Sequence, residues 1–304
     1  MGISVKEGQE AFPEEGRTTL EEPSEPSTTF LALNDFYGHK VPHSPKLFVV
    51  ALGFSLFSLL AASKLFAEQL GIISVFIAVL GLLPTFNLLV EANKNKVKEL
   101  EARGQKRTKA DLRLMRNILA IVAGMLMAYS LWALFLSVDE MRQAFIAQLG
   151  TGIGHSIERY QENSWARICI NNFVVAGGAF ILTLFLRLGG ALLVLAWNAS
   201  LWGVIFVYFA KIQASSGIGA LLSWLTILLC VLPHTLFETL GYVCAVIAGI
   251  LMVRLIVRSE EKNFSIATTL TQISTLFLGA IISIVVAALL EVSLVPYLTK
   301  ALGS

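Results

Sequence analysis

The sequence predicts an all-α, polytopic transmembrane helical bundle, with about seven crossings plus a broken or re-entrant helix near Pro233. Three observations point there. Hydrophobic residues make up 56% of the 304 and charged residues only 14%, where a soluble domain carries roughly a quarter charged. The mean hydropathy is +0.72. The apolar excess is gathered into runs of about 20 residues, each long enough to cross about 30 Å of hydrocarbon as a helix. These runs lack the apolar/polar alternation of a β-barrel strand.

Residues 1–44 are polar, acidic and rich in Pro, Ser, Thr and Glu. They cannot bury enough apolar surface to offset chain entropy, so they are read as a disordered tail. Phe30 to Tyr37 forms a short apolar patch within it, a candidate docking segment. The opening residues lack the apolar core of a cleavable signal peptide. Residues 45–90 are read as a transmembrane hairpin: Leu47 to Phe66 and Ile72 to Val90 are the apolar runs, and Pro84 is a candidate kink.

Residues 91–117 form a basic linker. Lys94, Lys96, Lys98, Arg103, Lys106, Arg107, Lys109, Arg113 and Arg116 stand against four acids between Glu91 and Arg116. Lys and Arg are enriched in cytoplasmic loops, so this segment predicts the cytoplasmic side and, with it, a cytoplasmic N-terminus. Residues 118–298 make up the main transmembrane domain. Ile118 to Leu136 crosses first. In residues 138–166, MRQAFIAQL places Phe145, Ile146 and Leu149 on one face, so an interfacial amphipathic helix is expected. The glycines of LGTGIGHS have no preceding strand and no following Lys-Ser/Thr, which makes them a hinge and not a phosphate loop.

Ile168 to Leu186 and Leu188 to Phe209 follow, split by a tight turn at Arg187-Leu-Gly-Gly190. Trp197, Trp202 and Tyr208 lie in the second, the last suiting an interfacial belt. Ile218 to Val257 is too long for one simple crossing, since about 40 residues of helix reach roughly 60 Å. Pro233 lacks the N–H and disfavours helix before it, so the break is expected there, leaving either two crossings or one crossing with Ile218 to Leu232 re-entrant, the second favoured if the Arg254, Arg258 and Lys262 that follow are cytoplasmic. Ile266 to Leu290 crosses last, and Glu291 and Pro296 close it.

The three cysteines, Cys169, Cys230 and Cys244, fall in apolar runs and read as packing residues, with no disulfide framework or zinc site. A net charge of +2 implies no nucleic-acid partner. Ionisable and amide groups inside a bilayer are costly and usually face the bundle interior. Those expected at membrane depth are Asn171, Asn172, Asn198, His234, Glu238 and Glu291, with Pro233 beside them. His234 and Glu238 are four residues apart, on one helical face, where imidazole and carboxylate can satisfy each other. No His-Glu-x-x-His, Gly-x-Ser-x-Gly or aspartate pair accompanies them, so no catalytic residue, metal ligand or cofactor site is assigned.

Four motifs stand in order: Asn171-Asn172 opening a helix, Asn198 within the next, Leu232-Pro-His-x-x-x-Glu238, and Ala288-Leu-Leu-Glu-Val-Ser-Leu-Val-Pro296. In this order they resemble the stage II sporulation protein M family over about residues 115–298. Thr235 and Ala199 stand where the family pattern has glycine, which marks a divergent member. The resemblance implies a non-enzymatic integral protein of the cell membrane, a scaffold or complex subunit. In spore formers such proteins act with a lytic transglycosylase and an amidase/endopeptidase that remodel peptidoglycan. The expected partners are membrane lipid and other membrane or envelope proteins. The alternative is a permease-like export subunit, the discontinuous helix holding substrate at the midplane and the basic linker docking a separate cytosolic ATPase.

Overall fold

The structure is a computed structural model that describes residues 43–105, 108–151, 165–214, 217–258 and 265–302. The expected tail patch, Phe30 to Tyr37, and most of LGTGIGHS lie outside the described residues. Among the described residues there is no strand. The helices are α1 (Ser44–Leu65), α2 (Leu70–Ala102), α3 (Thr108–Phe135), α4 (Val138–Ala144), α5 (Trp165–Gln213), α6 (Gly217–Arg258) and α7 (Ile266–Leu302). Six of them are long and apolar enough to cross a membrane.

α5 makes two of the passes. Its backbone leaves the helical region at Arg187, with φ 52° and ψ −132°. A Cβ on Gly190 would collide with the carbonyl oxygen of Leu182, so the two arms fold back on each other at this turn. That brings the total to seven passes, as the apolar runs predict. An L residue at this φ and ψ occupies a region that glycine dominates and costs about 1–3 kcal/mol.

Hydrogen bonds place the helix ends. Ser44 Oγ, at the start of α1, donates to Asn117 Oδ1 at 2.8 Å and accepts from Arg116 Nε at 3.1 Å, near the start of α3. At the opposite end, Lys211 Nζ donates to the carbonyl oxygens of Leu134 and Leu136, which joins the ends of α3 and α5. One buried cluster runs from Leu47 in α1 to Ile284 in α7 and takes in every long helix. Facing outward are large apolar groups such as Phe57, Leu80, Val174, Phe185 and Leu229. In water such a surface would drive association, whereas hydrocarbon solvates it.

Several boundaries differ from the sequence reading. The basic linker is largely helical, because α2 runs on to Ala102 and α3 starts at Thr108. Ion pairs at helical spacing accompany the extension: Lys94–Glu91 at 2.8 Å, Lys96–Glu99 at 2.8 Å and Arg103–Glu99 at 2.7 Å. Pro84 lies inside α2. After Phe135, Ser137 caps α4 in a reciprocal box with Glu140. Phe145 and Leu149 are buried as expected, but Ile146 is 68% exposed, where the backbone turns at Phe145 before helix resumes over 146–151. Met141 takes its place in the core.

α6 is the main correction. It runs as one helix through Pro233, where a break or re-entrant element was expected. At about 1.5 Å per residue its 42 residues reach about 63 Å. A break in lipid would expose several backbone groups, each costing several kcal/mol. Proline in a continuous helix removes only one N–H donor. The continuous helix is the smaller loss, and α6 goes across once. α7 likewise continues through Pro296 to Leu302 and is not closed at Glu291.

Candidate intramembrane polar cavity

The arms of α5 diverge from the Arg187 turn. Between them, α6, α7 and the start of α2 surround a cavity of about 620 Å³. Asn171, Asn198, His234, Glu238 and Glu291 all line it. Five of the seven residues singled out from the sequence therefore meet at one place. Asn172 joins them through Tyr242. Pro233 does not line the cavity and is exposed.

Helical spacing builds the α6 wall. His234, Glu238 and Tyr242 follow one another at four-residue steps and share a face. Tyr242 donates its hydroxyl proton to Glu238 Oε1 at 2.6 Å, a distance typical of a charge-assisted bond. The same hydroxyl lies 3.3 Å from Asn172 Oδ1. A phenol has one proton, so the shorter contact takes it. Asn171 Nδ2 in turn donates to Asn172 Oδ1 at 3.3 Å. The Trp202 ring stacks on Tyr242, with centroids 6.3 Å apart and planes 7° from parallel. α5 and α6 are thus joined at this level by the aromatic stack.

His234 is only 9% exposed, and the expected imidazole–carboxylate pairing is not among its hydrogen bonds. Its Nε2 lies 3.5 Å from Thr235 Oγ1, at the limit of a hydrogen bond. Its Nδ1 has no partner among the described residues. A buried polar nitrogen left unsatisfied costs about 1–3 kcal/mol. Asn198 is better satisfied, donating to the Val194 carbonyl at 2.8 Å on its own helix. At the two positions that depart from glycine, Thr235 is 6% exposed and Ala199 fully buried, so both side chains are accommodated in the packing.

The cavity offers two carboxyl groups, an imidazole and two amides, on walls otherwise made of residues such as Trp197, Leu201, Ile205 and Phe206. That mixture suits a ligand with both polar and apolar parts. Among the described residues no group of three or more His, Cys, Asp and Glu is arranged to hold a metal ion. Sequence reasoning missed Tyr242 and the stacking role of Trp202. Tyr242 could have been found, because it is one helical turn beyond Glu238.

Comparison with known families finds a match to the model described as SpoIIM, stage II sporulation protein M, over residues 114–296, more than half of the chain. Neither the curated proteins nor the solved structures give a match.

Proposed function

The chain belongs to the stage II sporulation protein M family, and from that premise we propose that it is the ligand-receiving, non-enzymatic subunit of a membrane complex, closer to a permease-like component than to a pure scaffold. The observation behind this reading is the polar cavity among the helices, with a buried imidazole nitrogen in its wall that has no partner among the described residues. A brace that only held helices together would have its polar groups satisfied by one another. Here a 620 Å³ space stands beside them instead. A ligand in that space supplies the missing partner of His234.

Gly178 provides the test. It lines the cavity, and a Cβ built there meets nothing within 4 Å. Gly178→Phe therefore fills the space with little strain on the helices. The full chain is purified from its native membranes in parallel with this variant, and bound small molecules and lipids are identified by mass spectrometry. The reading expects a species that accompanies the wild type and is lost from Gly178→Phe at unchanged thermal stability. Identical extracts from both proteins would sink it.

A second reading, the scaffold, is favoured by the helical basic hairpin. α2 extends beyond Val90 and carries Lys94, Lys96 and Lys98 on regular helix, while Val97 and Leu100 of the same stretch pack against Ala110 of α3. A rigid charged element at a bundle end is a docking surface for a partner. Cross-linked pull-down before and after replacing Lys96, Lys98 and Lys109 with Gln tests it. Cell-wall hydrolases lost on replacement support a link to envelope remodelling. A lost cytosolic ATPase supports the export subunit, and an unchanged set of partners removes the docking role.

A further inference from the structure

The bundle end at the Arg187 turn carries a second concavity of about 580 Å³. It is bounded by α2 from Leu83 to Glu91, by the α5 turn from Thr183 to Gly189, and by α6 from Ile250 to Arg254. We propose that this crevice holds the phosphate-bearing headgroup of an anionic membrane lipid.

Four observations converge on it. The first is depth. Glu91 is the first charged residue after the apolar run of α2, Arg187 is at the hairpin turn, and Arg254 is the first after the apolar run of α6. All three mark the level at which helices leave the hydrocarbon, where lipid headgroups lie.

The second is charge. Two guanidinium groups, Arg187 and Arg254, line the crevice against one carboxylate, Glu91. That carboxylate already holds Lys94 Nζ at 2.8 Å, and Lys94 is only 19% exposed. Among the described residues that line the crevice, guanidinium groups therefore outnumber carboxylates. Guanidinium forks match phosphate oxygens in a paired geometry that an ammonium cannot reproduce.

The third is the backbone. Arg187 is the only non-glycine residue with positive φ among the described residues. Glycine would relieve the turn, and glycines stand two and three positions later at Gly189 and Gly190. The chain keeps a cation at the strained position all the same. Strain retained at one residue points to a use for its side chain.

The fourth is the wall chemistry. Leu83, Leu88, Leu186, Leu188 and Val253 line the same space, and Leu186 is 55% exposed. A soluble phosphate has no use for these surfaces, whereas the upper acyl chain of a lipid packs against them. This favours a lipid as the source of the phosphate.

The test uses the full chain in nanodiscs of phosphatidylcholine, with and without phosphatidylglycerol, and two variants, Arg187→Gly and Arg254→Gln. Native mass spectrometry counts retained phosphatidylglycerol, and thermal unfolding reports stability. Each variant is expected to retain the anionic lipid about tenfold more weakly, the effect of losing one charge-assisted interaction. Arg187→Gly is also expected to melt at or above wild type in phosphatidylcholine alone, because its turn is relaxed. Loss of lipid by a variant that folds at least as well separates binding from folding. Equal retention by wild type and both variants overturns the proposal. In a third arm, inorganic phosphate is added to neutral nanodiscs. A rise in wild-type melting as large as that from phosphatidylglycerol overturns the lipid assignment, and no rise supports it.

Discussion

Tyr242 Oη is 2.6 Å from Glu238 Oε1, and this contact organises the cavity wall. Tyr242→Phe removes the proton donor and leaves the ring that stacks on Trp202. Loss of a hydrogen bond to a buried carboxylate is expected to cost about 1–3 kcal/mol, read by denaturant unfolding in nanodiscs. Unchanged stability would show that Glu238 finds another donor. At this scale the sequence was informative about which residues matter and less so about how they pair. Polar residues in apolar runs stand out because burial makes them costly. Spacing alone does not choose the partner, because His234 and Tyr242 each stand four residues from Glu238 on one face of α6. His234 and Glu238 share a face, yet Glu238 is bonded by Tyr242.

Among the elements, α3 and α5 approach each other closely at Gly203. A Cβ there would sit 2.7 Å from the Leu126 carbonyl oxygen and 2.9 Å from Tyr129 Cβ. Close beside it, Ser130 Oγ donates to the Gly203 carbonyl at 3.1 Å. Small residues let transmembrane helices approach and pack in this way. Gly203→Ala is expected to destabilise by about 1–3 kcal/mol through overpacking. Gly178→Ala, in open space, is expected to be neutral or to gain up to about 1 kcal/mol of helix propensity. Equal effects of the two in the same unfolding assay would contradict the packing described for α3 and α5. The membrane-crossing helices were legible, because each apolar run except Ile218 to Val257 had the length of a crossing. Helix ends were less so. Pro233 and Pro296 carry strong local signals to stop, but unpaired backbone in lipid is costlier than one missing donor, so α6 and α7 continue.

For the whole molecule, the alternation of seven passes puts the α2–α3 connection and the α1–α2 connection at opposite ends. The excess of Lys and Arg near residues 91–116 predicts that the first of these is the cytoplasmic one. With the native cysteines replaced, a cysteine at Gln105 is expected to react with a membrane-impermeant maleimide only in inverted vesicles. A cysteine at Glu68 is expected to react only in right-side-out ones. Both positions are exposed. The reverse pattern would invert the orientation, and labelling of both on one side would break the pass count. Length and composition made the pass count readable everywhere but at Ile218 to Val257. The two cavities were not, because each is assembled from three or more helices whose mutual placement no single run of residues records.

The central claim is that the polar space around His234 receives a ligand. The most direct measurement is a cryo-electron microscopy map of the full chain purified from its native membranes without added lipid. The account predicts non-protein density against His234 and Glu238, absent from the Gly178→Phe variant. A cavity closed by its own side chains, with His234 Nδ1 bonded to a protein neighbour, would contradict it.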